Sequence, residues 1–195
     1  MKKARVAVCG VFFCTATLAV AQMHDVVLEF QPAKTVVNYT LGASLHTVHG
    51  TFQLKRGRIQ YSLGNGSISG EIVIDATTGQ SGNDGRDHKM HEEIIESGKY
   101  SEITFRPDRV EGRLVAEKSS TLQVHGMFSV HGAEHEVTLP IQVQISSSQW
   151  SVDTNFQIPY LKWGMKNPSK FLLRVEPEVA IAIHATGAVN GPVHP

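Results

Sequence analysis

Cysteine is nearly absent from this 195-residue sequence, which contains only two. Both, Cys9 and Cys14, fall in the first 21 residues. The remainder has no thiol nucleophile, no thiolate metal ligand and no disulfide to staple it. Charge is also scarce. Eighteen Lys and Arg balance 18 Asp and Glu, 18% of residues are charged, and the formal net charge is zero. Such a chain offers no basic field to hold nucleic-acid phosphates. It has no glycine-rich phosphate loop and no serine nucleophile elbow. Hydrophobic residues make up 41%, enough for a packed core and too many for a disordered chain.

The one long apolar run stands at the N-terminus. Lys2, Lys3 and Arg5 precede Val6–Ala21, which closes on Ala19-Val-Ala21. A positive start, an apolar stretch and a small-x-small site are the layout of a secretory signal peptide, with cleavage expected before Gln22. The stretch is about 16 residues, short of the roughly 20 that span a bilayer. The expected organisation is a signal peptide over 1–21 and a single domain over 22–195. That domain is expected to be periplasmic or secreted, without stable membrane insertion. Losing the segment removes three cations and leaves the domain mildly acidic.

Beyond it, period-2 alternation dominates. Val137–Ile145 alternates without a break, and so do Leu122–Val130, Ile68–Ile74 and Val179–Ile183. Shorter candidates are Val27–Phe30, Val36–Leu41, Thr51–Leu54, Arg58–Tyr61, Ile103–Phe105, Arg113–Ala116 and Trp150–Ile158. Alternation of this kind predicts antiparallel strands with one face inward. Lys55-Arg-Gly57, Gly64-Asn-Gly66 and Gly132-Ala-Glu134 read as tight turns. Pro140, which donates no ladder hydrogen bond, reads as an edge or bulge position. The pattern predicts an all-β sandwich or barrel.

Parity turns Val37, Tyr39, Phe52, Ile72, Ile74, Ile103, Phe105, Val124, Phe128, Leu139, Ile141, Phe156 and Ile181 inward. In a sandwich these side chains form a solid core. In a closed barrel of about eight strands they can line a ligand cavity. Periodicity does not choose between the two.

One segment, Asn83–Ser97, lacks alternation. It predicts a short helix from His88 to Ser97, capped by Asp87 and stopped by Gly98, with Met90, Ile94 and Ile95 on its buried face. His88, His91 and Glu92 share a face of that helix, so a metal site is geometrically open, although the order differs from a zinc-protease motif. The other reading of that face is a solvated charged surface. His125, His131, His135 and His184 are read as outward-facing. No residues form a catalytic constellation, and no cofactor is expected.

Several pieces stand in a recognisable order. They are Thr47-Val-His-Gly-Thr-Phe52, Ile74-Asp-Ala-Thr-Thr78, Arg86-Asp-His-Lys-Met-His91, Lys99-Tyr-Ser-Glu-Ile-Thr-Phe105, Val124-His-Gly-Met-Phe-Ser-Val-His-Gly132 and Val137-Thr-Leu139. Together they resemble the YceI family of exported, lipocalin-like polyisoprenoid-binding proteins, from about Leu28 to Gly187. Ser101 stands where that family usually has Pro, and Met90 where it has Leu.

The resemblance implies an antiparallel eight-stranded lipocalin-like barrel with one short helix. It implies an apolar tunnel lined by the inward set and a ligand that is an isoprenoid lipid or a quinone-like molecule. No catalytic residue is needed for such carriage. Arg86, Asp87 and His88, at the start of the helix, become candidates to meet a head group. Two other classes remain open at this stage: a metal-binding protein or metal-dependent enzyme using His88, His91 and Glu92, and a β-sandwich interaction module. Self-association into a homodimer stays open too.

Overall fold

Alternation carries through into nine strands among the described residues: β1 (Asp25–Phe30), β2 (Thr35–Leu41), β3 (Val48–Ser62), β4 (Ile68–Gln80), β5 (Glu102–Glu111), β6 (Ser119–Val130), β7 (Ala133–Ile145), β8 (Gln149–Ile158) and β9 (Val179–Ala188). The computed structural model describes residues 25–115, 117–169 and 173–189. The expected signal segment, 1–21, lies outside them. In β6 the pattern is plain: Ser120, Leu122, Val124, Gly126, Phe128 and Val130 are buried, and the residues between them are not.

Every pairing between strands is antiparallel, and the sheet closes on itself. Along one edge, β3 pairs β1 through Gly57–Ser62 and β2 through Val48–Phe52. A 3-10 turn at Pro32–Lys34 separates β1 from β2. The two segments act as a single interrupted stave, so nine strands make an eight-stave barrel. The ring runs on through β4, β5, β6, β7, β8 and β9 and returns to β2, with β3–β4 completing the closure. Closure removes the free edges that an open sheet exposes. It rules out the sandwich with two separate sheets.

Two expected turns resolve differently. Lys55-Arg-Gly57 does not reverse the chain. It lies within the 15-residue β3, where the β3–β4 register slips between Leu54 and Arg56. A Cβ on Gly57 would come within 2.9 Å of the Phe30 Cβ and 2.8 Å of the Ile72 Cδ1, so glycine answers a packing need there. The β6–β7 hairpin turns on two residues, His131 (φ 52°) and Gly132 (φ 75°), between the paired Val130 and Ala133. Positive φ at both central positions is the type I′ geometry that suits the twist of a hairpin. Arg113–Val115 is not strand. Pro140 lies in β7 just where the β7–β8 ladder ends, since pairing with β8 begins at Ile141. Its carbonyl accepts the Thr154 hydroxyl at 2.8 Å.

The helix begins earlier than the sequence predicts. α1 covers Asp84–Lys89 and continues as one π turn over Met90–Ile94. Asn83 is the cap, because its side chain accepts the Arg86 N–H at 3.0 Å and does the work expected of Asp87. Glu96, at φ 51°, occupies the left-handed position after the helix, ahead of Gly98.

The two barrel ends differ. At the end remote from the β6–β7 turn, Trp150 and Ile145 are almost fully buried with Leu122 and Val152. Phe30 packs on Trp150, ring centroids 4.8 Å apart. Gly187 leaves the indole room, since a Cβ there would sit 2.4 Å from a ring carbon. At the other end, the helix and the β8–β9 connection cover the opening.

Candidate functional site

A cavity of about 420 Å³ lies beneath that cover. β2, β5 and β9 supply Tyr39, Leu41, Ile103 and Ile181, the helix supplies Met90, Ile94 and Ile95, and the β8–β9 connection supplies Tyr160, Met165, Leu173 and Val175. The helix aims its apolar residues here because of its π turn. The Ile95 N–H donates to the Met90 carbonyl at 2.9 Å, and the extra residue in this turn keeps both Ile94 and Ile95 at the cavity wall. Turns of this kind recur at functional sites. A second cavity of about 130 Å³ lies deeper in the barrel, and Ile103 lines both.

The inward set divides between the two. Tyr39, Phe52, Ile103 and Ile181 line the larger cavity. Ile72, Ile74, Ile103, Phe105, Val124, Phe128, Leu139, Ile141 and Phe156 line the smaller. Val37 lines neither and packs in the wall with Leu54 and Ile74. The deeper cavity is almost wholly hydrocarbon; among the described residues Thr35, Thr104 and Thr154 are its only hydroxyl-bearing residues besides Tyr61.

Among the described residues, the ionisable nitrogen-bearing side chains of the two cavities gather at the covered end. Arg86, Lys89 and His46 line the larger cavity. Asp87 and His88 do not. The Asp87 carboxylate accepts the Ser81 N–H at 2.9 and 3.0 Å, and the Ser81 hydroxyl donates to it as well. Burial opposes ionisation of Asp87, but these hydrogen bonds outweigh it and hold the carboxyl below its usual range. The same hydroxyl accepts Arg86 Nε–H at 2.7 Å, and the Ser81 carbonyl accepts Arg86 Nη2–H at 3.2 Å. Burial raises the Tyr39 phenol above its ordinary value, so the ring stays neutral. His88 is exposed.

The histidines are less uniform than parity suggests. His91 is partly buried. Its Nε2–H donates to the Gly79 carbonyl at 2.8 Å, and its Nδ1 accepts the Ser97 hydroxyl at 2.9 Å. With both ring nitrogens committed, His91 has none left for a metal shared with His88 and Glu92. Among the described residues no three His, Cys, Asp or Glu side chains are grouped as a metal site. His135 has the same parity as Val137 and faces Trp163, so it does not point outward. His131 joins Glu96 at 2.6 Å and thereby ties the β6–β7 turn to the end of the helix.

Tyr160, Met165, Leu173 and Val175 escaped the sequence reading. They lie in a connection with no period, and nothing local shows that it folds back over the barrel. Lys89 was missed as well, although its position three residues after Arg86 puts both on one helix face.

The model of the YceI-like domain family matches residues 28–187. The chain belongs to the YceI-like family. Among curated relatives, the UPF0312 protein VPA0850 of Vibrio parahaemolyticus is 30% identical over 124 residues, 61% of this chain and 62% of that protein. The aligned part thus spans less than two thirds of that relative's length. Several solved structures share the fold at low identity. Burkholderia cenocepacia BcnA aligns with a TM-score of 0.67 at 15% identity, covering 81% of this chain and 99% of BcnA. A polyisoprenoid binding domain from Saccharophagus degradans aligns at 0.62 and 15%, covering 87% and 100%. The Campylobacter jejuni YCEI protein aligns at 0.55 and 13%, covering 98% and 100%. Among the described residues of this YceI-like chain, no helix is long and apolar enough to cross a membrane.

Proposed function

We propose that this YceI-like protein is an exported carrier that holds a polyisoprenoid, or another long apolar chain such as a quinone tail, inside its barrel. The observation that carries this reading is the pair of apolar cavities meeting at Ile103. Among the described residues, their ionisable nitrogen-bearing side chains are concentrated at the end beneath the helix. An apolar chain lying in them leaves water along its length, at about 0.8 kcal/mol per buried CH₂. The larger cavity falls in the ~300–1,000 Å³ range of small-molecule sites. Membership of the YceI-like family and the likeness to the Saccharophagus degradans domain support the ligand class. The reading assigns no chemical step. Export to the periplasm or beyond rests on the N-terminal sequence.

Mass spectrometry of organic extracts from the purified protein tests the proposal. A co-purifying isoprenoid or other long-chain lipid is expected, in amounts that fall when the cavity is filled by Ile103→Trp. A parent protein that carries no lipid and binds none when lipid is added would overturn it.

A further inference from the structure

Among the described residues, the two fixed charges lining the larger cavity are both cationic. Arg86 and Lys89 stand on one face of the helix, His46 of the β2–β3 connection also lines the cavity, and among the described residues no Asp or Glu does. Among the described residues, neither Arg86 nor Lys89 has a carboxylate within ion-pair distance, although Arg56, Arg58 and Arg106 all do. The Asp87 carboxylate, next to Arg86 in sequence, accepts the N–H and hydroxyl of Ser81. Arg86 commits Nε and Nη2 to Ser81, which fixes the guanidinium and leaves Nη1 uncommitted among the described residues. Lys89 makes one long contact, Nζ–H to the Pro168 carbonyl at 3.4 Å. Two cations therefore border an apolar chamber with donors to spare.

Cations in such a place carry a desolvation cost that a neutral ligand does not offset and an anionic one does. An anion at the mouth of a low-dielectric cavity also gains more from each charge-assisted hydrogen bond than it would in water. A head group without charge, such as an alcohol or quinone, would use these donors poorly.

Resting on the carrier reading above, we propose that the ligand is a single-chain amphiphile with an anionic head group, a phosphate or carboxylate. Its tail runs past Ile103 into the barrel, and its head is held between Arg86 and Lys89. Arg86 is the fixed half of the clamp. Lys89 is the adjustable half, because its flexible stem can leave the Pro168 carbonyl.

Isothermal titration with farnesol, farnesyl phosphate and inorganic phosphate separates head from tail. The parent protein is expected to bind farnesyl phosphate about tenfold or more tightly than farnesol, with a preference that shrinks as salt is raised. It should give no heat with inorganic phosphate. The affinity ratio should collapse towards one in Arg86→Gln and in Lys89→Gln. It should persist in His88→Gln, whose exposed ring lines neither cavity. If Arg86→Gln melts early, Lys89→Gln carries the test, since among the described residues that side chain makes a single long hydrogen bond. Equal binding of the two prenyl ligands, or a ratio untouched by either substitution, overturns the head-group inference and leaves the carrier reading standing. Tight binding of inorganic phosphate alone would show an anion site independent of any lipid and also overturn it. Failure to bind either prenyl ligand would sink both readings.

Discussion

His135 lies flat on Trp163, ring centroids 4.0 Å apart and planes 5° from parallel. Trp163 in turn packs on Phe128, 5.7 Å away, and Phe128 on Phe156 at 6.2 Å. The imidazole thus caps a stack of rings that leads into the barrel. His135 Nε2 is buried without a hydrogen-bond partner among the described residues, and burial pushes its pKa below the ordinary histidine value. A group whose folded pKa is depressed supports the fold above its unfolded pKa and loses that support as pH falls. Lowering the pH through about 6.5 should therefore destabilise the protein in proportion to what His135 contributes. Urea midpoints at pH 7.5 and pH 5 measure this. The drop between them should be smaller in His135→Phe, which keeps a ring on Trp163 and has nothing to protonate.

Glu102 should govern a separate, more acidic window. Arg56 and Lys55, at 3.0 and 2.9 Å, hold its carboxyl well below the usual carboxylate range, at about 2. This support is complete above about pH 4.5 and is lost as pH falls towards 2. Glu102→Gln should flatten the acid limb of the stability curve below pH 4.5 and leave the His135 limb unchanged. The pair is solvent-accessible, so high salt should weaken the effect in the parent protein.

Gly126 should resist even a single methyl group. A Cβ there would stand 2.3 Å from the Arg106 carbonyl oxygen and 2.8 Å from the Pro107 Cα, both backbone atoms of β5 next to its register shift at Pro107. Neither can move without disturbing the ladder. Gly126→Ala should cost at least the roughly 1–3 kcal/mol of an overpacked core site. Gly98→Ala, where a Cβ meets nothing within 4 Å, should stay within about 0.5 kcal/mol. Chemical denaturation of the two variants gives the comparison.

Phe128 and Ile141 should behave differently from each other. Phe128 is buried against Phe156 and Trp163 as well as lining the deeper cavity. Phe128→Ala should therefore cost roughly 3–5 kcal/mol, as in a packed core. Ile141 is only partly buried and faces the deeper cavity. Ile141→Trp should lower the melting temperature little and reduce bound lipid, because the indole takes the place of the chain. A large loss of stability with unchanged lipid content would mean that no ligand occupies this space.

Export is checked most directly at the N-terminus. Protein recovered from outside the cytoplasm should begin at or near Gln22. Retention of Met1 on membrane-bound protein would count against cleavage after Ala21.

The relation between Asn83 and Asp87 illustrates how far local sequence reading reaches. The sequence contains two good cap residues four positions apart, and both are plausible by composition. The choice follows from Ser81, just past the end of β4, which engages Asp87 and leaves Asn83 to cap the helix. Likewise, Met90, Ile94 and Ile95 were legible as one apolar face, whereas their π turn was not.

Sequence alone pointed to most of the inward-facing side chains, because a period of two is a property of neighbouring residues. It also marked the family through short motifs, and the His131-Gly132 hairpin could be placed near its true position. What only the tertiary structure decided depends on residues far apart in the chain. Closure through β3–β4, the passage of β3 through Lys55–Gly57, and the folding of Tyr160, Met165 and Val175 over the cavity all rest on long-range packing. So does the position of His135, whose odd parity was visible but whose partner, Trp163, lies 28 residues away in an aperiodic connection. Inward parity defines a surface. Whether that surface is filled by opposing side chains or encloses a cavity depends on how many staves close the ring and what covers its ends.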